Sequence, residues 1–186
     1  MKRKLLIVSA SAVCIAVGTV GTLAYFTSET RARNVITTGS VDVQLVEQTV
    51  NDGKLTDFPK AGISGVMPGQ SVSKIVKVKN TGTAEAWVRL SAEISVMSAD
   101  GKPLNNKYVT IKPNDSWKQS GVNGDEHWYY VKALNKGDLT DEFIGSVDFS
   151  PEMSSEYRNC TVNVDISAQA VQTTNNGSDV FKAAGW

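Results

Sequence analysis

The sequence is poor in the residues that most metal and acid–base chemistry needs. One His and two Cys occur among 186 residues, and 19 Lys+Arg balance 19 Asp+Glu. A lone imidazole excludes the commonest zinc-hydrolase pattern, in which two His one helical turn apart face a metal beside a Glu base. Zero net charge excludes a polybasic nucleic-acid binder, and a composition of 41% hydrophobic and 20% charged residues excludes a charge-rich disordered chain. Two Cys cannot knit a disulfide mini-protein. The sequence holds no Gly-x-Ser-x-Gly elbow, no Gly-rich phosphate loop and no acidic calcium-loop spacing. No stretch sustains a long helical period, an internal repeat or coiled-coil heptads.

The charge that is present is unevenly placed. Residues 1–24 carry Lys2, Arg3, Lys4 and no acid, which leaves 16 Lys+Arg against 19 Asp+Glu, a net charge of −3, over the other 162 residues. After the cations comes an uncharged run, first apolar (Leu5, Leu6, Ile7, Val8), then rich in small residues (Gly18, Thr19, Gly21, Thr22). Cations at the cytoplasmic face, an insertable stretch and small residues that fit a peptidase cleft describe a secretory signal. Thr22 and Ala24 favour a cut after Ala24, and a cut after Tyr25 also leaves an aromatic start, so the mature chain is expected to begin at Tyr25 or Phe26. The signal peptide is thus residues 1–25. The alternative is a retained anchor, since the 20 uncharged residues just span a bilayer. Cys14 leaves with the signal, and Cys160 becomes the only mature thiol. It lies in phase with Val162, Val164, Ile166, Ala168 and Ala170, which makes it a small buried hydrophobe of one strand face.

The remaining chain reads as strands. Apolar residues recur with period two at Val41, Val43 and Leu45, at Val76 and Val78, and most clearly at Val88, Leu90, Ala92, Ile94 and Val96, with Trp87, Arg89, Ser91, Glu93 and Ser95 on the other face. Further runs cover residues 108–111, 128–131, 144–149 and 160–171. Turn chemistry separates them: Met67-Pro68-Gly69, Asn80-Thr81-Gly82, Asp100-Gly101, Asn123-Gly124 and Asn135-Lys136-Gly137-Asp138. The fold class expected is all-β: a single antiparallel β-sandwich over residues 41–172, with loops at 48–65 and 113–126 that are variable or carry short helical turns. A signal helix precedes it, residues 26–40 form an N-terminal segment, and residues 173–186 form a tail with a polar linker and a small amphipathic end.

Candidate chemistry is sparse. Asp125-Glu126-His127 supplies carboxylate and imidazole, but neighbouring strand residues point to opposite faces and no second imidazole exists, so a solvated hairpin loop competes with a cation site. His127 is the only base available to a Ser-His-Asp triad. Trp117, Trp128, Tyr129 and Tyr130 form either a sugar-stacking platform, with Trp117, Trp128 and Tyr130 as its surface, or cross-strand pairs and core. No catalytic residue, metal or cofactor is expected.

The junction Gly21-Thr22-Leu23-Ala24-Tyr25-Phe26-Thr27-Ser28, followed by Ile36-Thr37-Thr38-Gly39-Ser40-Val41-Asp42-Val43, resembles exported proteins of the TasA/camelysin family. Met67-Pro68-Gly69-Gln70, Val78-Lys79-Asn80-Thr81-Gly82, Trp87-Val88-Arg89-Leu90, Trp128-Tyr129-Tyr130 and Ala168-Gln169-Ala170-Val171-Gln172 carry the likeness across most of the chain. The resemblance implies a jelly-roll-like sandwich, processed by a SipW-type signal peptidase, secreted to the matrix or cell surface of a Gram-positive bacterium and built into biofilm fibres as a homo-polymer, with a fibre-anchoring accessory protein as a further partner. It also implies donor-strand exchange, in which the N-terminal segment of one subunit fills a strand position of the next. Here that segment begins at Phe26, with Phe26, Ala32, Val35 and Ile36 as its apolar residues. The alternative is that it folds back as its own domain's first strand, or frays. Camelysin brings a metallopeptidase label, yet His-Glu-x-x-His is lacking. A monomeric surface-binding module is the third alternative.

Overall fold

In a computed structural model of the chain, residues 40–186 are described. The expected signal helix, the cleavage residues Ala24, Tyr25 and Phe26, and the donor residues Phe26, Ala32, Val35 and Ile36 lie outside them. The described residues are almost wholly strand and turn. In chain order the strands are β1 (Val43–Asn51), β2 (Lys54–Asp57), β3 (Ser71–Asn80), β4 (Ala86–Met97), β5 (Pro103–Leu104), β6 (Val109–Ile111), β7 (Trp117–Gln119), β8 (Trp128–Tyr130), β9 (Ile144–Phe149) and β10 (Thr161–Gln172). Two single-turn 3₁₀ helices, Ser155–Tyr157 and Val180–Lys182, interrupt the later loops.

The strands form two antiparallel sheets. One has the order β2-β1-β3-β9-β6; the other has β10-β4-β8-β7, with β5 joined to β4. Period-two alternation explains both. In β3 and β4, Val76, Val78, Val88 and Leu90 are fully buried, and their faces meet between the sheets with Trp117, Tyr130, Leu134, Phe143 and Ile144. A second apolar group, Val96, Val109, Val147 and Tyr157, closes one end. Burying a Val or Leu side chain contributes about 1.5–3 kcal/mol, so this layer supplies the main stabilisation.

Two departures from the sequence reading have physical causes, and the tail shows a packing that the reading did not specify. The first part of the expected loop at 48–65 is instead a β-hairpin. β1 runs on to Asn51 and returns as β2 through Asp52 and Gly53, both at positive φ (50° and 75°), as a two-residue type I′ hairpin requires. Trp117 and Tyr130, offered as a stacking surface, are 2% and 4% exposed. They pack at 5.1 Å between ring centroids, and Trp117 and half-buried Trp128 lie 5.4 and 6.1 Å from Phe143. These rings are core, and no platform of the three exists. Finally, residues 173–186 pack back on the domain: Val180 and Ala183 are buried with Trp87, Tyr129 and Val171, beside Trp186.

One turn fixes where the chain enters the domain. Thr81 and Gly82 N–H groups donate to Asp42 O (2.9 and 3.0 Å), and Thr83 N–H donates to Ser40 O (2.9 Å). Ser40 N–H donates in return to Thr83 Oγ1 (2.9 Å). Asn80, wholly buried, holds the turn from beneath: its Nδ2 donates to Ala84 O (2.8 Å) and Leu134 O (2.9 Å), and its Oδ1 accepts from Gly82 N–H (3.0 Å). Gly82 is required here by close approach, because a Cβ would meet Ser40 O and lie 2.7 Å from Asp42 N.

Candidate functional site

Two places merit consideration, and both belong to the second sheet. The first lies on its outer face, around Asp125. The Asp125 carboxylate accepts from Ser120 Oγ (2.6 Å), Tyr129 Oη (2.9 Å) and His127 N–H (3.2 Å), and its Oδ1 lies 2.8 Å from His127 Nδ1. These donors, the Ser120 hydroxyl foremost, hold its carboxyl well below the usual carboxylate range despite partial burial. Burial pushes the Tyr129 phenol up. Arg89 Nη1 donates to Tyr129 Oη (3.2 Å) and its Nε to Gln169 Oε1 (2.8 Å). The guanidinium lies 4.7 Å from the Trp186 ring centroid, which is 5.6 Å from Tyr129. The aromatic group on this face is therefore Trp87, Tyr129 and Trp186, of which sequence reasoning puts only Tyr129 among its candidate rings. Strand parity separates Tyr129 from Trp128 and Tyr130, but only the pairing of Leu90 with Trp128 tells which side is inward.

Ser, His and Asp do meet here, in the wrong order for nucleophilic catalysis. The Ser120 hydroxyl donates to the carboxylate rather than to the imidazole, so no base activates it. The fit to a metal fails too. Among the described residues no three His, Cys, Asp or Glu side chains converge, the whole chain has one His, and that imidazole's Nδ1 is engaged by Asp125. A peptidase zinc needs three such donors plus an open position. Half-buried Cys160 packs beside the end cluster around Tyr157.

The second place is the free edge of β10. Twelve residues pair with β4 without a register break, from Thr161↔Met97 to Gln172↔Ala86. Among the described residues nothing pairs with the other side of the strand. Its inward row, Val162, Val164, Ile166, Ala168 and Ala170, is only half-buried, although each of these residues packs against a core cluster. β1, which lies across from β10, carries half-buried Val43 and Leu45 on its inner face. The sandwich is thus incompletely closed along this side. The other sheet edges are short: β2 has four residues, β6 three and β7 three. Short edges resist foreign strands, whereas a long, regular edge without Pro or bulge accepts one.

The family model for camelysin metallo-endopeptidase matches residues 1–111. The chain belongs to the camelysin family. No curated protein and no solved structure matches it. The matched part ends with β6, so the strands β7 to β10, the Asp125 network and the free edge lie beyond it.

Proposed function

We propose that this camelysin-family chain is a secreted structural subunit, without catalytic residues, that polymerises into extracellular matrix or cell-surface fibres of a Gram-positive bacterium. In this reading the sandwich has jelly-roll topology, a SipW-type peptidase releases the segment after residue 25, and that segment adds to the sheet of a second copy. An accessory matrix protein would anchor the fibre. The observation that carries the reading is the twelve-residue free edge of β10 with its half-buried apolar row. An added strand would satisfy the exposed backbone donors and acceptors there and cover the row. Because donor and acceptor are different surfaces, the contact is head-to-tail and extends without closing. The chain beginning at Phe26 is expected to form concentration-dependent filaments by electron microscopy, and one beginning at Gly39 to stay monomeric. Equal filaments from both would refute strand donation.

The peptidase reading takes its support from the family description alone. It requires proteolysis by the purified chain that disappears both with chelator and in His127→Ala.

A further inference from the structure

The outer face of the second sheet holds an electrostatic oddity. Glu93 of β4 and Asp165 of β10 stand directly opposite each other, both exposed. Like charges at opposed positions disfavour a sheet. No ion pair to either is found among the described residues. Their neighbours on that face, Ser91, Ser95, Asn163 and Ser167, are uncharged, and Arg89 is already bound to Gln169 and Tyr129. Asp165 is also the only charged residue of β10. An acidic spot therefore sits midway along the one long open edge.

The segment that precedes the domain has the complementary pattern. Between residues 26 and 36 the even positions, Phe26, Ser28, Thr30, Ala32, Asn34 and Ile36, carry no charge. Every charge falls on the odd positions, as Glu29, Arg31 and Arg33. At strand period, one face is uncharged and bears most of the apolar residues, while the other is polar and centred on two Arg. We propose that the free edge of β10 is the acceptor for this segment of a second copy, and that Arg31 and Arg33 set its register by lying beside Glu93 and Asp165. This rests on the strand-donation reading and names its acceptor.

Register follows from parity. With the even face covering Val162, Val164, Ile166 and Ala168, both Arg lie on the outer face, one opposite Asp165 and the other diagonal to it. A slip of one residue would drive both guanidinium groups between the sheets, and a slip of two either exchanges the places of the two Arg or moves one of them away from Asp165. The eleven-residue segment matches the twelve-residue edge. The same carboxylates oppose symmetrical pairing of one β10 with another, which would close a dimer and end growth.

The test uses the full chain secreted and processed by a Gram-positive host, with the critical concentration for polymerisation measured by sedimentation at low and high salt. Reversing the acceptor (E93K with D165K) or the donor (R31E with R33E) is expected to raise it about tenfold at low salt, and all four together to return it to within about twofold of the parent. Salt near 1 M should shrink the differences, since screening then acts over about 3 Å. The milder pair E93Q with D165N, which adds no new charge, should raise it less, and circular dichroism checks that each variant folds. In a Cys160→Ala background, Asp165→Cys combined with Arg31→Cys or Arg33→Cys should give, for at least one pair, a reducible ladder of covalent oligomers. Polymerisation untouched by the reversals overturns the acceptor assignment and leaves strand donation standing. Intrachain disulfide alone, with monomers throughout, overturns both.

Discussion

Asn80 offers the most discriminating test of the fold. It is wholly buried, and each of its three side-chain hydrogen bonds ties β3 to a different stretch of backbone: the turn at Gly82, the approach to β4 at Ala84, and the loop at Leu134. A buried hydrogen bond contributes about 0.5–1.5 kcal/mol net, and a carbonyl left without its donor costs about 1–3 kcal/mol. Asn80→Ala should therefore lose about 3–4 kcal/mol, or roughly 10 °C in Tm for a domain of this size. Asn80→Asp adds a pH signature. Its carboxyl would face the Ala84 and Leu134 carbonyl oxygens, so folding raises its pKa above the unfolded value of about 3.9. Below about pH 4 the group is neutral in both states, and the deficit against the parent is smallest. As pH rises the unfolded chain ionises while the folded chain resists, and the deficit widens by about 1.4 kcal/mol per pH unit until the folded pKa is reached. Urea unfolding at pH 4 and pH 7 measures this. A deficit equal at both pH values, or a loss under about 1 kcal/mol in Asn80→Ala, would show that the network does not exist as described.

Two further outcomes follow from the same geometry. Gly82→Ala places a Cβ against the backbone of Ser40 and Asp42, so the clamp must open; a loss of about 1–3 kcal/mol is expected, together with faster limited proteolysis near residue 40, and an unchanged digestion pattern would count against it. Asp125→Asn removes the charge that four donors stabilise, and the cost should be about 1–3 kcal/mol at pH 7. Because folding lowers the Asp125 pKa, that advantage of the parent is complete above about pH 4 and fades as acid protonates the carboxylate. A constant difference down to pH 2.5 would contradict it.

Much of the sandwich is legible in the sequence because its longest strands alternate cleanly. β4 from Val88 and β10 as far as Ala170 keep to period two, and the two strands pair over twelve positions. What was not legible has identifiable causes. β2 is exposed at all four residues, so Lys54–Asp57 shows no alternation to read; the usable signal was Asp52-Gly53 between Val50 and Leu55, which pair across the hairpin. The aromatic run at residues 128–130 has a readable parity but no readable sidedness, so Trp128 and Tyr130 were offered as surface while Tyr129 is the ring on the outer face. The link between Asp125 and His127 joins residues two apart, and adjacency in a strand pattern pointed away from it. The open edge of β10 is invisible in any single strand. It becomes apparent only when sheet order shows that nothing described lies beyond it.

The clamp at Ser40 and Asp42 decides how the domain would bear a load. A pull on the preceding chain reaches β1 directly behind these bonds, and β1 is laced to β3 along six paired positions, Val43↔Asn80 to Gln48↔Ile75. Tension along β1 strains that ladder in shear, so its hydrogen bonds share the force and must fail together, whereas a pull across the strand would break them one at a time. In the proposed fibre, a thread of such units would resist stretching at the joint between one subunit and the next.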